Sequence, residues 1–156
     1  MVTKKQWEYA NFGGVIAFGL FLLLSFLTAE ADTAHRVMVL FCEVIGAAVV
    51  VNAYLSLHHL NGERRFIPFS IMVFLGAWLV YAIGYEIGVE ASTNYNWIWF
   101  LFLYIVLIGG FILLRKMYAG LTGPFKLLPI FLLFVNAILF VFILFFNIWW
   151  NLPFSG

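Results

Sequence analysis

Apolar residues run in five long stretches, from about Phe12 to Thr28, Val37 to Leu57, Ile67 to Gly88, Trp97 to Leu114 and Phe125 to Ile148. Short segments carrying nearly every charge separate them. Each stretch is close to or longer than the ~18 residues that read as a membrane-spanning helix. The pattern predicts an all-α integral membrane protein, a bundle of five transmembrane helices (12–28, 37–57, 67–88, 97–114 and 125–148). No connection is longer than about a dozen residues, so a single domain over 1–156 is expected. The turns have ordinary chemistry, with Asn61-Gly62 after the second stretch, Pro68 near the start of the third, and Gly120 and Gly123-Pro124 ahead of the fifth.

Composition removes the soluble alternatives. The chain is 65% hydrophobic and 10% charged, with a mean hydropathy of +1.07, where soluble domains carry roughly 25% charged residues. A net charge of +1 provides no field for nucleic acid, so the partners expected are the lipid bilayer and other membrane subunits or copies of the chain. Cys42 is the single cysteine, which excludes an intrachain disulfide. Lys4 and Lys5 before an apolar run, with Ala29-Glu30-Ala31 after it, imitate a signal peptide. The run exceeds the ~7 to 15 residues of a signal core, so a retained first span is expected. No internal repeat is visible, and an odd helix count speaks against two equal inverted halves.

Charge placement adds an orientation. Lys4, Lys5, Arg64, Arg65, Arg115, Lys116 and Lys126 are seven of the eight basic residues, and with five spans they all fall on one side. Only Arg36 falls on the other. The positive-inside rule then puts the amino terminus in the cytoplasm and the carboxy terminus outside. Trp7 and Tyr9 would mark the inner interface, and Tyr95, Trp97, Trp99, Trp149 and Trp150 the outer one. A cytoplasmic (inner) cell membrane is the expected location, and an organelle membrane protein would look much alike.

One charge breaks the segregation. Glu43 lies seven residues past Arg36, ~10 Å into the hydrocarbon at ~1.5 Å per residue. A charge at the helix centre costs ~2.5 to 3.5 kcal/mol on insertion scales, so such a group faces the bundle interior and is a functional candidate by default. Tyr81 and Tyr104 are matched to it in depth, and a hydrogen bond from Glu43 to one of these phenols is expected, with Ser25 or Asn136 in support. Two readings compete: a proton-binding or cation-binding carboxyl in a pathway from the outer face, or a polar staple worth only ~0.6 to 2 kcal/mol. Glu30, Asp32, Glu86 and Glu90 at the same end form either an acidic mouth that concentrates cations or ordinary solvated helix ends.

At the opposite end, His58-His59 precede Glu63, Arg64 and Arg65. Adjacent histidines diverge by about 100° on a helix and cannot grip one metal as an i, i+4 pair can, so no metal and no cofactor is expected. Two axial haem ligands at one depth are not available either, since His35 lies at the other surface. Arg64, Arg65, Arg115 and Lys116 are placed to meet lipid headgroups. Small residues point to close helix packing: Gly84 and Gly88 as a Gly-x-x-x-Gly pair, Gly13 with Ala17, and a strip over Gly46, Ala47, Val50 and Ala53.

The nucleophile arrangements of catalysis are absent, so no catalytic residue is assigned. The leading expectation is a non-enzymatic polytopic membrane protein that serves as a subunit or oligomeric building block of a complex. The alternative is a proton, cation or small-solute channel or transporter using Glu43. A lipid-modifying enzyme around His58, His59 and Glu63 is a third.

Overall fold

A computed structural model describes residues 3–152. Five helices follow in order: α1 (Lys4–Leu27), α2 (Asp32–Ser56), α3 (Phe66–Glu86), α4 (Asn96–Gly120) and α5 (Leu127–Trp150). With their lead-in turns, all five are long and apolar enough to cross a membrane, the build of a multi-pass membrane protein. Helix α1 begins well before its apolar run because Thr3 caps it. The Gln6 amide donates to the Thr3 hydroxyl and the Gln6 side chain accepts from the Thr3 backbone, a capping box. Helix α4 similarly runs past Leu114 to Gly120, carrying Arg115 and Lys116 on regular helix.

Helix α3 is the centre of the arrangement. It packs against α2 on one side, against α4 and α5 on the other, and touches α1. Half of its apolar window is buried inside the protein, against 17% for α1 and 28% for α4 and α5. Large apolar side chains such as Ile16, Leu20, Val44, Ile105 and Phe145 face outwards, as helices surrounded by lipid require.

The expectation of no internal repeat is overturned. Hairpins α2–α3 and α4–α5 match at one constant offset along the chain, and both turn at the end rich in basic residues. The short 3-10 turns Gly62–Arg65 and Gly123–Lys126 are entered by Asn61 at φ −123°, ψ 159° and Thr122 at φ −122°, ψ 160°. Gly62 and Gly123 follow at φ 62° and 61°, a region that favours glycine. At the same offset Arg65 answers Lys126, and Pro68 answers Pro129, each buried in the first turn of its helix, where the missing amide costs nothing. Buried positions coincide as well: Cys42 with Leu103, Ala53 with Leu114, Leu60 with Leu121, Ile67 with Leu128, Ile71 with Leu132 and Ala82 with Ile143. The hairpins are parallel repeats, since both run down and back in the same sense. Helix α1 precedes them, covering α2 and touching α3.

Three small-residue expectations need correction. Gly88 is not on α3 and makes no Gly-x-x-x-Gly pair with Gly84: at φ 71° it is the left-handed residue that ends the helix. The Gly88 amide donates to the Tyr85 carbonyl and the Val89 amide to the Gly84 carbonyl, a Schellman closure. Gly13 faces open space, and the close contact on α1 falls at Gly14, against Val49; Ala17 is half-buried. Ala47 is exposed, while its neighbour Gly46 is buried. A Cβ at Gly46 would come within 2.7 Å of the Trp78 ring, and one at Gly84 would collide with the Trp99 indole. These two glycines are therefore seats for tryptophans, not points of contact between backbones.

Candidate functional site

Helices α1, α2 and α3 enclose a cavity of about 120 Å³ at the end opposite the basic turns. That volume has room for several waters. Its walls include Ser25 of α1, His35, Val39, Cys42 and Glu43 of α2, and Trp78, Tyr81, Ala82 and Tyr85 of α3. Trp78 also packs edge-on against Phe18 at 4.8 Å within the core, which closes the cavity toward the basic end.

The charges at the cavity are unevenly matched. Arg36 grips Glu86 with both nitrogens, Nη1 to Oε1 at 2.5 Å and Nη2 to Oε2 at 2.7 Å, while its guanidinium lies 6.0 Å from the Tyr85 ring. A fork of this kind is the strong form of the Arg–carboxylate pair. Glu86 is also the acidic neighbour of Glu43. One cation thus serves two carboxyls: Glu43 Oε1 is buried and accepts from no N–H or hydroxyl donor, and the group within hydrogen-bonding reach of the Glu43 carboxyl is Glu86. His35 Nδ1 lies 2.9 Å from the Ser25 carbonyl; a carbonyl only accepts, so this nitrogen carries the proton.

The expected bond from Glu43 to a phenol is not made. Tyr81 shares the cavity wall with Glu43, but Tyr104 belongs to the other hairpin, where its hydroxyl accepts from Asn147 Nδ2 at 2.8 Å. The offset between the hairpins explains the matched depth: Tyr104 holds in α4 the position Glu43 holds in α2, and Asn147 holds in α5 that of Glu86 in α3. Ser25 lines the cavity but gives its hydroxyl proton to the Leu22 carbonyl at 2.7 Å. Asn136 sits elsewhere, donating to Leu107 at 3.0 Å across the α4–α5 contact.

Three positions at the cavity wall carry larger side chains in the second hairpin. Val39, Cys42 and Ala82 at the cavity wall correspond to Phe100, Leu103 and Ile143, which are 2%, 0% and 0% exposed and form one packed cluster. At these three positions the larger side chains of the second hairpin fill space that the smaller ones of the first leave open beside Glu43.

The acidic mouth is only partly assembled. Glu86 neighbours Glu43 without lining its cavity and Glu90 lines a neighbouring one, whereas Glu30 and Asp32 are exposed at the α1–α2 turn, outside both. Asp32 opens α2, where its charge suits the helix dipole.

A second polar network, at the basic end, was missed by sequence reasoning. Glu8, 7% exposed, accepts from Arg64 Nη1 at 2.6 Å. Asn11 Nδ2 donates to the Trp7 carbonyl and to Ser56 Oγ, both at 2.9 Å, and its Oδ1 accepts from Asn52 at 3.3 Å. His59 stacks on Trp7 at 4.9 Å, His58 meets the Tyr54 ring edge-on, and both Glu63 oxygens accept from the Thr122 hydroxyl at 2.8 Å. The readable signal was polar residues at Glu8, Asn11 and Asn52 recurring on the joining faces of α1 and α2. Arg64 is thus held in an ion pair, while Arg65, Arg115 and Lys116 are exposed. Among the described residues no group of three or more His, Cys, Asp or Glu side chains could hold a metal.

Against protein-family models, curated proteins and solved structures, the chain gives no match.

Proposed function

We propose that this protein is a non-enzymatic multi-pass membrane protein that takes up a proton or small cation at Glu43, as part of an ion-handling or small-solute transport function. The observation that supports this reading is a cavity lined by Glu43, whose buried Oε1 accepts from no N–H or hydroxyl donor and whose carboxyl lies beside that of Glu86, at positions where the second hairpin carries the packed Phe100, Leu103 and Ile143. Ionisable groups at such depth are expensive, and one kept beside a water-sized cavity fits ion handling better than packing. Arg36, Glu86, His35, Cys42, Tyr81 and Tyr85 are the charged and titratable groups around it.

By the positive-inside rule the basic turns face the cytoplasm, so the cavity opens on the outer face of a cell membrane. Trp78 at its inner wall favours a carrier-like site over an open pore. The test is ion uptake by liposomes containing the purified protein, followed with an internal pH-sensitive or cation-sensitive dye. Uptake by the parent protein that is lost in Glu43→Gln is the expected result; uptake that survives the substitution, or its absence in the parent, overturns the reading.

A second reading, a subunit of a larger membrane assembly, is favoured by one observation. Gly13 and Ala47 leave small-residue surface exposed that the described residues do not cover. Native mass measurement of the solubilised protein finding a monomer with no companion would exclude it. The lipid-modifying alternative has less support, because Glu63 and His59 are both engaged in local contacts.

A further inference from the structure

A separate cavity of about 250 Å³ lies between α3, α4 and α5 at the same end as Glu43. Its walls are aromatic: Tyr81, Tyr85, Trp99, Phe146 and Trp150, with Glu90 contributing the acidic group. The rings are held by the fold. Trp99 is seated over Gly84, where a Cβ would collide with the indole, and its Nε1–H reaches the Val80 carbonyl at 3.5 Å. Its ring centroid is 6.0 Å from that of Tyr81, and Phe146 and Trp150 lie 4.5 Å apart. Glu90 is positioned by its turn, where its amide donates to Thr93 Oγ1 at 3.0 Å. Arg36, beside Tyr85, is paired with Glu86.

We infer that this cavity binds a quaternary ammonium group. Aromatic faces attract a cation through their quadrupoles, most strongly for tryptophan, and a carboxylate at the rim supplies the counter-charge. A strongly hydrated inorganic ion would lose its water shell to rings that offer few oxygen donors, whereas a methylated ammonium is weakly hydrated and fills the apolar walls. The group could arrive on a free cation or on a choline headgroup, since the cavity lies at the end of the helices. This inference does not depend on Glu43, which belongs to the other cavity.

The test is titration of choline and of its neutral isostere 3,3-dimethylbutan-1-ol into the full chain in nanodiscs, read from tryptophan indole N–H signals by NMR. In phosphatidylglycerol discs choline should saturate, with the isostere at least tenfold weaker. Glu90→Gln, an exposed substitution that leaves the packing intact, should weaken choline at least threefold, and Trp99→Leu should abolish the response. Repeating the titration in phosphatidylcholine discs separates the sources: a shift to higher choline concentration identifies the lipid headgroup, and an unchanged curve identifies the free cation. Equal binding of the isostere, an unaltered curve for Glu90→Gln, or no saturable response in phosphatidylglycerol discs overturns the inference.

Discussion

Two helical hairpins of the same design sit side by side in this protein and differ in their chemistry. In α4–α5 the polar pair is Tyr104 with Asn147, joined at 2.8 Å over a packed cluster of Phe100, Leu103 and Ile143. In α2–α3 the equivalent pair is Glu43 with Glu86, over a cavity left by Val39, Cys42 and Ala82. The first arrangement gives Asn147 an acceptor and packs large side chains beside it, which is what stability asks of a buried polar contact. The second crowds two carboxyls around one guanidinium and keeps space beside Glu43. The turns and these buried positions are shared, so at them the difference is one of side chains. It lies in a handful of side chains, and those are the ones to exchange.

The largest effect should follow from moving the acidic chemistry into the packed hairpin. Tyr104→Glu places a carboxyl where there is no cavity and no arginine, and should destabilise the protein by about 3 kcal/mol, the scale of a buried charge without a partner. Steric-trapping or SDS-unfolding measurements read this directly; a loss below about 1 kcal/mol would mean that the second hairpin is as tolerant of charge as the first.

The reverse exchange should be smaller and of opposite sign. Ala82→Ile gives the first hairpin the side chain of the second, fills part of the cavity and should raise stability by about 1 kcal/mol. It should also diminish uptake at Glu43. Unchanged uptake together with raised stability would separate the cavity from the function. The smallest effect is expected at Tyr104→Phe, which removes only the hydroxyl that accepts from Asn147. Membrane hydrogen bonds of this type average about 0.6 kcal/mol, so a double-mutant cycle with Asn147→Ala is the suitable measurement.

Depth along each helix was legible before any contact was known. The charge pattern singled out Glu43, and rise per residue matched Tyr81 and Tyr104 to it. Which of them shares its surroundings was not legible, since neighbouring helix positions differ by about 100° in direction and only packing sets the rotation of one helix against another. Glu8 escaped notice for the same reason: close to Lys4 and Lys5 it reads as a solvated helix start, and only the return of the chain through Arg64 buries it.

The repeat was hidden differently. The turns kept their glycines and prolines, because backbone conformation at Gly62, Gly123, Pro68 and Pro129 tolerates few residue types. The helices kept only which positions are buried, and in an apolar sequence buried and lipid-facing residues look alike. Hydropathy and turn chemistry are local quantities, so the amino-acid sequence by itself determined five long apolar helices, their order and the end at which the basic residues gather. Contacts between helices depend on rotation and side-chain volume at once. Tertiary structure alone therefore decided that the equivalents of Phe100, Leu103 and Ile143 leave a cavity at Glu43, and that Trp99 over Gly84 completes an aromatic one beside it.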